Sequence, residues 1–390
     1  VPLGSLRRRV ATVGDLDIAV ASDSPEKVIE HFINYPEIKN VESKGERMST
    51  VILTNEVQVD VLVSDADSFG SLLQHFTGSK QHNIKLRELA LDFGMSLSQY
   101  GIKQKNKLKK FDSEEKFYGQ LGLAWIPPEL REGKEEINLA ARNSLPNLIT
   151  VQDIKGDLHI HTTFSDGGNT LNEMVEAAVE LGYEYIGISD HAPSVTNRGM
   201  TEVIRLMDDK REEIDRINEK HNKIKVFYGY EVNILKDNSL AMPDELLEKL
   251  DYVIASVHTS FDMPRDEVTQ RVISALENPF VTILGHPSGR TINIREPMDL
   301  DWNEIFKVAL KNKKILEINS QPTRLDLPDH LVYDAMKLGL KFVISSDSHS
   351  INDLMLIKYG IDVARRGWCG GKNVLNTLSY SEIRKVLLTK

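Results

Sequence analysis

Residues 156–191 read GDLHIHTTFSDGGNTLNEMVEAAVELGYEYIGISDH. Two short apolar runs, GDLHIH and YEYIGISDH, flank an amphipathic helical stretch at 170–182, so the segment reads as strand, helix, strand. The same alternation continues down the chain. KVFYGYE (225–231), DYVIASVH (251–258), VTILGH (281–286), KKILEIN (313–319) and KFVISSDSH (341–349) are further apolar runs, separated by amphipathic stretches such as 201–222, 265–277 and 301–311. Seven strands, each followed by a helix-length segment, predict a parallel β/α fold, most simply a barrel.

The strand ends carry the chemistry. His159 and His161 close the first run, and Asp166 follows in the Gly-rich loop FSDGG. His191 ends the second, Glu231 the third, His258 the fourth, His286 the fifth, and Asp347 with His349 the last. All strand C-termini of a β/α barrel open on one face, so these side chains are expected to meet. A lone strand-end histidine is usually a hydrogen-bonded core or surface residue. Six of the chain's 11 histidines at the ends of apolar runs is a different matter. Imidazoles and carboxylates crowded at one mouth repel unless cations hold them, and these ligand types suit zinc, manganese or iron. His31, His75, His82, His221 and His330 lack that context and are left out of the set.

Composition sets the outer bounds. The chain has 390 residues, 41% apolar and 27% charged, which excludes a disordered chain, a collagen-like fibre and a disulfide scaffold. The single cysteine, Cys369, forbids an intrachain bridge and argues against a disulfide-linked partner; a reducing cytoplasm is the expected home. No apolar run is long enough to span a membrane. The chain begins at Val1 and reads as the C-terminal part of something longer. The net charge of −10 argues against a nucleic-acid binder, yet Arg7-Arg8-Arg9 and Lys103, Lys105, Lys107, Lys109 and Lys110 form basic runs. Such runs are candidate backbone contacts.

The first part has a different texture. Residues 11–21 and 48–64 alternate apolar and polar, and read as a strand and a hairpin turned at Thr54-Asn55, with a helix opened by Ser24-Pro25 between them. From about 68 the pattern turns helical, through LRELALDFGMSL and the lysine-rich stretch. Ile126-Pro127-Pro128 and the polar segment to Pro146 read as a linker. Asp15 and Asp17 alternate on one strand and share a face. Asp60 interrupts a strongly apolar strand of the hairpin. Three carboxylates on one sheet face suit two magnesium ions, and Gly4-Ser5 lets backbone NH and hydroxyl groups approach a triphosphate.

HIHTTFSDG, ISDHA, GYE, SVHTSF, GHPSGR and SSDSH resemble the motif series of the polymerase and histidinol phosphatase (PHP) superfamily. That resemblance implies a (βα)7 barrel over 151–390, binding two or three Zn²⁺ or Mn²⁺ ions for phosphoester hydrolysis. All nine ligand positions are filled, by His159, His161, Asp166, His191, Glu231, His258, His286, Asp347 and His349. Arg290 and Arg324, in loops after barrel strands, are candidate phosphate clamps. Gly4-Ser5-Leu6-Arg7-Arg8, the three aspartates and Phe76-Thr77-Gly78-Ser79 resemble family X DNA polymerases. This implies an α+β nucleotidyltransferase palm at 1–68 and a thumb with linker at 69–150. Asp15, Asp17 and Asp60 would hold Mg²⁺ as catalytic residues, Ser5 and Arg8 the triphosphate, and Gly78, Asn83 and Arg87 the incoming nucleotide.

A palm and thumb before a PHP barrel is similar to the bacterial and archaeal family X polymerases with 3′–5′ exonuclease activity, acting on gapped or primer–template DNA with dNTPs. His75 stands where many relatives carry tyrosine, and sugar discrimination depends on that position. The family's lyase-like and fingers regions are missing from the sequence. Two other readings remain open at this point: a PHP phosphomonoesterase, or a structural metal-binding module attached to an inactive polymerase.

Overall fold

The computed structural model describes residues 1–388. The chain divides into two compact units, Val1–Pro146 and Asn147–Lys390.

In the first unit, strands β1 (Asp15–Ala21), β2 (Ile38–Lys44), β3 (Met48–Leu53) and β4 (Gln58–Ser64) form a sheet in the order β1-β4-β3-β2. β1 runs parallel to β4, and the other pairs are antiparallel. Helix α1 (Gly4–Arg7) precedes the sheet. Helix α2 (Pro25–Ile33) covers one face, where Ile29 packs on Val61 and Val63. Helix α3 (Phe69–Thr77) covers the other, with Leu72 against Ala19, Leu62 and Leu3. Strand side chains alternate, so Asp17 and Asp60 share this second face with Ala19 and Leu62.

Two expectations for this unit fail. Helix α4 (Lys80–Asp92) stops before Gly94, whose φ of 65° favours glycine. GMSL and the lysine-rich stretch are then not helical. They form a three-stranded antiparallel sheet of β5 (Met95–Ser98), β6 (Gly101–Gln104) and β7 (Lys107–Lys109). Lys105 and Asn106, both at positive φ, make the tight turn between the last two strands. The second failure is the linker. Between α5 (Glu114–Gln120) and α6 (Glu136–Ala141), the residues Ile126, Glu129, Leu130 and Arg131 are buried, as is Glu136. The polar residues there belong to internal ion pairs. Arg131, with no exposed surface, donates to Glu114 Oε1 at 2.6 Å and to the Ile126 carbonyl at 2.8 Å. His82 is a core histidine between Glu136 and Tyr118, at 2.8 and 2.9 Å.

In the second unit, β8 (Gly156–Ile160), β9 (Tyr185–Ile188), β10 (Lys225–Asn233), β11 (Tyr252–Ser256), β12 (Ile283–Leu284), β13 (Ile315–Asn319) and β14 (Phe342–Ser345) form a parallel seven-stranded sheet in sequence order, counted among the described residues. A parallel bridge between Ile160 and Ser348 brings its two edges together, so the sheet is a nearly closed barrel. The strands are almost wholly buried, as a helix-covered parallel sheet requires. The helices are α7 (Leu171–Glu180), α8 (Val195–Arg198), α9 (Met200–Lys220), α10 (Asp244–Leu247), α11 (Arg265–Glu277), α12 (Trp302–Lys311), α13 (Asp329–Lys337), α14 (Ile357–Arg366) and α15 (Tyr380–Leu387). Helices α7, α9, α11 and α12 fill the four stretches that periodicity picked out.

The barrel interior is packed by Leu158, Tyr185, Phe227, Tyr252, Ile283, Ile315 and Val343, together with Ile383 and Leu387 of α15. Tyr252 crosses to the far wall and donates to the Leu158 carbonyl at 2.7 Å. Gly187 makes that possible, since a Cβ there would lie 2.3 Å from the tyrosine oxygen. The β8–β9 register slips between Asp157 and Ile160. Leu158 therefore packs in the interior while its neighbour His159 also reaches the barrel mouth, a local re-aiming characteristic of a bulge.

Glu114 offers a direct test of the first unit. Burial alone would raise its carboxyl, but Arg131 and Arg7 outweigh burial and bring it down to about 2 from an ordinary 4.5. A depressed carboxylate stabilises the fold above its unfolded value, and that contribution fades as pH falls from about 5 towards 2. Glu114→Gln, leaving Arg131 buried without its partner, should cost about 3–5 kcal/mol at pH 7. In urea melts of the two chains, the gap should shrink by more than half at pH 3. A gap unchanged by acid would refute the role given to this pair.

Candidate metal centres

At the barrel mouth, Glu231 is the hub. It lies near the end of β10 with only 2% of its surface exposed. Its Oε2 lies 3.0 Å from His191 Nδ1, 3.5 Å from His159 Nε2 and 3.7 Å from His161 Nε2. Its Oε1 lies 2.8 Å from His286 Nε2 and 3.2 Å from His258 Nε2. One carboxylate thus stands between two sets of imidazoles. Asp347 joins the first set, with Oδ1 at 3.2 Å from His161 Nε2 and 3.5 Å from His159 Nε2. Asp166 sits on the outer side, 3.4 Å from each of His161 Nδ1, His191 Nε2 and His349 Nε2.

Among the described residues, three overlapping groups can each surround one ion: His161, Asp166, His191 and His349; His159, His161 and Asp347; and His191, Glu231 and His258. His286 meets Glu231 but falls in none of them.

The donor set fits divalent cations on its own chemistry. His159 Nε2 and His161 Nε2 face each other at 3.1 Å, too close for two protonated nitrogens. His286 Nδ1 is buried with no hydrogen-bond partner among the described residues. Burial alone would push His161 down, but Asp166 and Asp347 raise it to about 9. His159 is lowered by burial and raised further by Glu317, Asp347 and Glu231, ending well above its usual value. Asp166 falls below its usual range, chiefly through His161. Protons and cations therefore compete for the same nitrogens, and metal binding must release protons.

Supporting contacts aim the ligands. Glu317 Oε1 lies 2.6 Å from His159 Nδ1. A carboxylate only accepts, so Nδ1 carries the proton and Nε2 is free to face the cluster. Buried Asp190 accepts from Thr162 N at 2.6 Å and Ser165 Oγ at 2.9 Å, pinning the loop that carries Asp166. Its counter-charge is Lys210 of α9, fully buried, at 3.0 Å. Asp326 accepts from Ser288 N and Gly289 N at 3.0 and 2.9 Å, beside His286.

In the first unit, Asp17 and Asp60 are register partners on parallel β1 and β4, with Asp15 two residues before Asp17. Asp60 accepts from Gln58 Nε2 at 2.9 Å and from Thr50 Oγ1. Burial, then Asp15 and Asp60, raise Asp17 above an ordinary carboxyl, while Arg8 pulls it down. The chain before α1 pairs with β1 through Leu3 N to Asp17 O at 2.8 Å, which sets Gly4 and Ser5 beside the aspartates. Gly4 has a φ of 55°, and a Cβ there would lie 2.5 Å from Asp17 Oδ2. Arg8 donates to the Thr77 carbonyl and lies against Gly78. Asn83 donates to the His75 carbonyl at 2.7 Å, and Arg87, one turn on along α4, helps burial lower His75.

Residues 72–132 match the model for the DNA polymerase beta thumb, and residues 157–321 match the model for the PHP domain. The DNA polymerase/3′–5′ exonuclease PolX of Bacillus subtilis (strain 168) is 39% identical over 390 residues, covering 98% of this chain and 68% of that protein. The chain belongs to the family X DNA polymerases that carry a PHP domain. A probable phosphatase of Thermoanaerobacter sp. (strain X514) is 28% identical over 245 residues, which are 60% of this chain and 94% of that one. A probable phosphatase of Acetivibrio thermocellus is 30% identical over 202 residues, 50% of this chain and 78% of that one.

Within this family X chain, two groups of basic residues turn out to be committed. Arg7 pairs with Glu114 at 2.7 Å, Arg8 with Glu132 at 3.2 Å and Arg9 with Glu129 at 3.2 Å. The triple arginine is thus a brace inside the unit rather than a free basic strip. Arg290 donates to the carbonyls of Arg324, at 2.7 Å, and Leu325. It supports the loop that carries Arg324, whose Nε lies 3.9 Å from Asp347 Oδ2. Glu317 was missed, although a glutamate inside the apolar run KKILEIN is the same signal that singled out Asp60. Asp190 and Lys210 gave no such signal, because their pairing joins a strand end to the middle of a helix.

Removal of metal gives the test of this geometry. A ligand bound only to the folded state at a thousandfold excess over Kd adds about 4 kcal/mol. Chelation should lower the melting temperature of the second unit, and Mn²⁺ or Zn²⁺ should restore it. An unchanged melt after complete stripping would contradict cation binding at these groups.

Proposed function

We propose that this chain adds deoxynucleotides to a primer 3′ end with its first unit and removes 3′ nucleotides with its second. The reading rests above all on one observation: in both units, groups of metal-ligand type crowd together at one place. Asp17 opposes Asp60 in register, and five imidazoles close on Glu231.

In the division proposed here, residues 1–68 are the palm, 69–150 the thumb with its connecting segment, and 151–390 the phosphoesterase barrel. Asp15, Asp17 and Asp60 hold two Mg²⁺. Ser5 and Arg8 receive the triphosphate, Arg8 exchanging its pair with Glu132 for phosphate oxygens, and Gly78, Asn83 and Arg87 receive the sugar and base, with His75 at the position that reads the sugar. The nine barrel residues hold two or three Zn²⁺ or Mn²⁺. Such ions supply Lewis-acid chemistry, lowering the pKa of water and neutralising phosphate oxygens. Around them, Glu317 fixes the His159 tautomer, Asp190 holds the Asp166 loop, and Arg324 is placed to meet a phosphate at the mouth. The substrates are primer–template or gapped DNA and dNTPs. The cell compartment proposed is the cytoplasm; no helix of the described residues is long and apolar enough to cross a membrane.

A second reading is favoured by the probable phosphatases aligned with the barrel: hydrolysis of a phosphomonoester. Release of 3′ phosphate from DNA, against release of nucleotides from a 3′-hydroxyl end, separates the two.

The two-site proposal has a direct test on a 5′-labelled primer–template with Mn²⁺, with and without dNTPs. Asp60→Ala should reduce extension by two orders of magnitude or more, about 3 kcal/mol of barrier, and leave degradation within twofold. His161→Ala should do the reverse. Loss of both activities in a folded Asp60→Ala chain would show that the sites are not separate.

A further inference from the structure

Beside the barrel mouth lies a cavity of about 720 Å³, lined by Phe164, Ser165, His191, Asn197, Arg198 and Leu206 among others. Its volume falls in the roughly 300–1,000 Å³ range of small-molecule sites. His191 belongs both to this lining and to two of the ligand groups, so cavity and cluster are continuous. The proposed metal centres and their phosphate contacts leave this space unexplained.

Two side chains give it a chemical character. Phe164 is 36% exposed, although its neighbours Thr163 and Ser165 donate to Asn169 and Asp190 in building the Asp166 loop. An aromatic ring held open next to a hydrolytic centre gains nothing by burial. It offers a flat apolar face, and every nucleobase has a face to match it without regard to sequence. Arg198, at the exposed end of α8, is the cation of the lining. A planar guanidinium suits a phosphodiester oxygen, and its charge also reaches the exposed Glu202 nearby. A bare phosphomonoester would use the cation but not the ring.

We infer that this cavity is a subsite for the 3′-terminal nucleoside of a DNA strand, its base stacked on Phe164 and its phosphodiester turned towards Arg198. The inference rests on the hydrolase reading of the barrel and specifies its substrate as a nucleotide chain end. It predicts removal without sequence preference, since stacking reads only the presence of a base.

Two measurements on the whole chain test it. With an oligonucleotide carrying 2-aminopurine at its 3′ end, binding should quench fluorescence. The quench should vanish in Phe164→Ala and persist in Phe164→Trp. In Mn²⁺, Phe164→Ala and Arg198→Ala should each raise KM for an unlabelled oligonucleotide about tenfold, with kcat within about twofold, as loss of one stacked base or one phosphate contact predicts. Removal of an abasic 3′-terminal residue, which has no ring to stack, should be unchanged in Phe164→Ala and slowed in Arg198→Ala. Equal slowing of both ends in Phe164→Ala, or quenching retained in that variant, would overturn the subsite. If the unaltered chain hydrolyses neither end, the hydrolase reading fails instead, and the quench alone decides the subsite.

Discussion

A buried charge must be answered, and the two ways in which it is answered organise the whole chain. Where the answer is another side chain, the result is architecture. Glu114 lies between Arg7 and Arg131, and Asp190 faces Lys210. Removing one partner of such a pair leaves the other uncompensated in a low-dielectric surrounding, which is why breaking these contacts is costly. Where the facing groups compete instead of cancelling, as at Asp17 with Asp60 or His159 with His161, the arrangement fits divalent cations from outside the polypeptide. The same electrostatic rule thus separates struts from sites.

This division explains what could be read in the sequence and what could not. The barrel was legible because each of its strands is a buried apolar run and each is followed by a helix of clear period. Its ligands were legible because titratable residues at the ends of such runs stand out. Asp60 was legible for the same reason. By contrast, residues 95–109 alternate lysine with apolar residues over strands of three or four residues, too short for a period of two to declare itself. Residues 126–146 look like a linker by composition. Yet Glu129, Arg131 and Glu136 are polar residues whose partners lie in other segments, and composition cannot show a partner.

The triple arginine carries the same lesson in reverse. A basic run suggests an outward-facing strip, but its charges are spent on Glu114, Glu132 and Glu129. Through those pairs, the short helix bearing Gly4 and Ser5 is tied to the segments that follow α3 and α4. The turn beside the aspartates is therefore held by contacts over a hundred residues away in sequence. Its geometry comes from the thumb-like half of the unit as much as from the sheet.

The bulge in β8 has a consequence for how this barrel tolerates change. On most strands, substitutions are judged one side chain at a time. In β8, consecutive residues serve opposite ends of the same interior, Leu158 in the packed floor and His159 in the ligand cluster. The strand is therefore read in a frame, much as a coding sequence is. Adding or deleting one residue there would shift the alternation and turn the His159–Ile160–His161 order inside out, exchanging imidazole for isoleucine at the mouth. Length, more than identity, is the quantity held fixed along this strand.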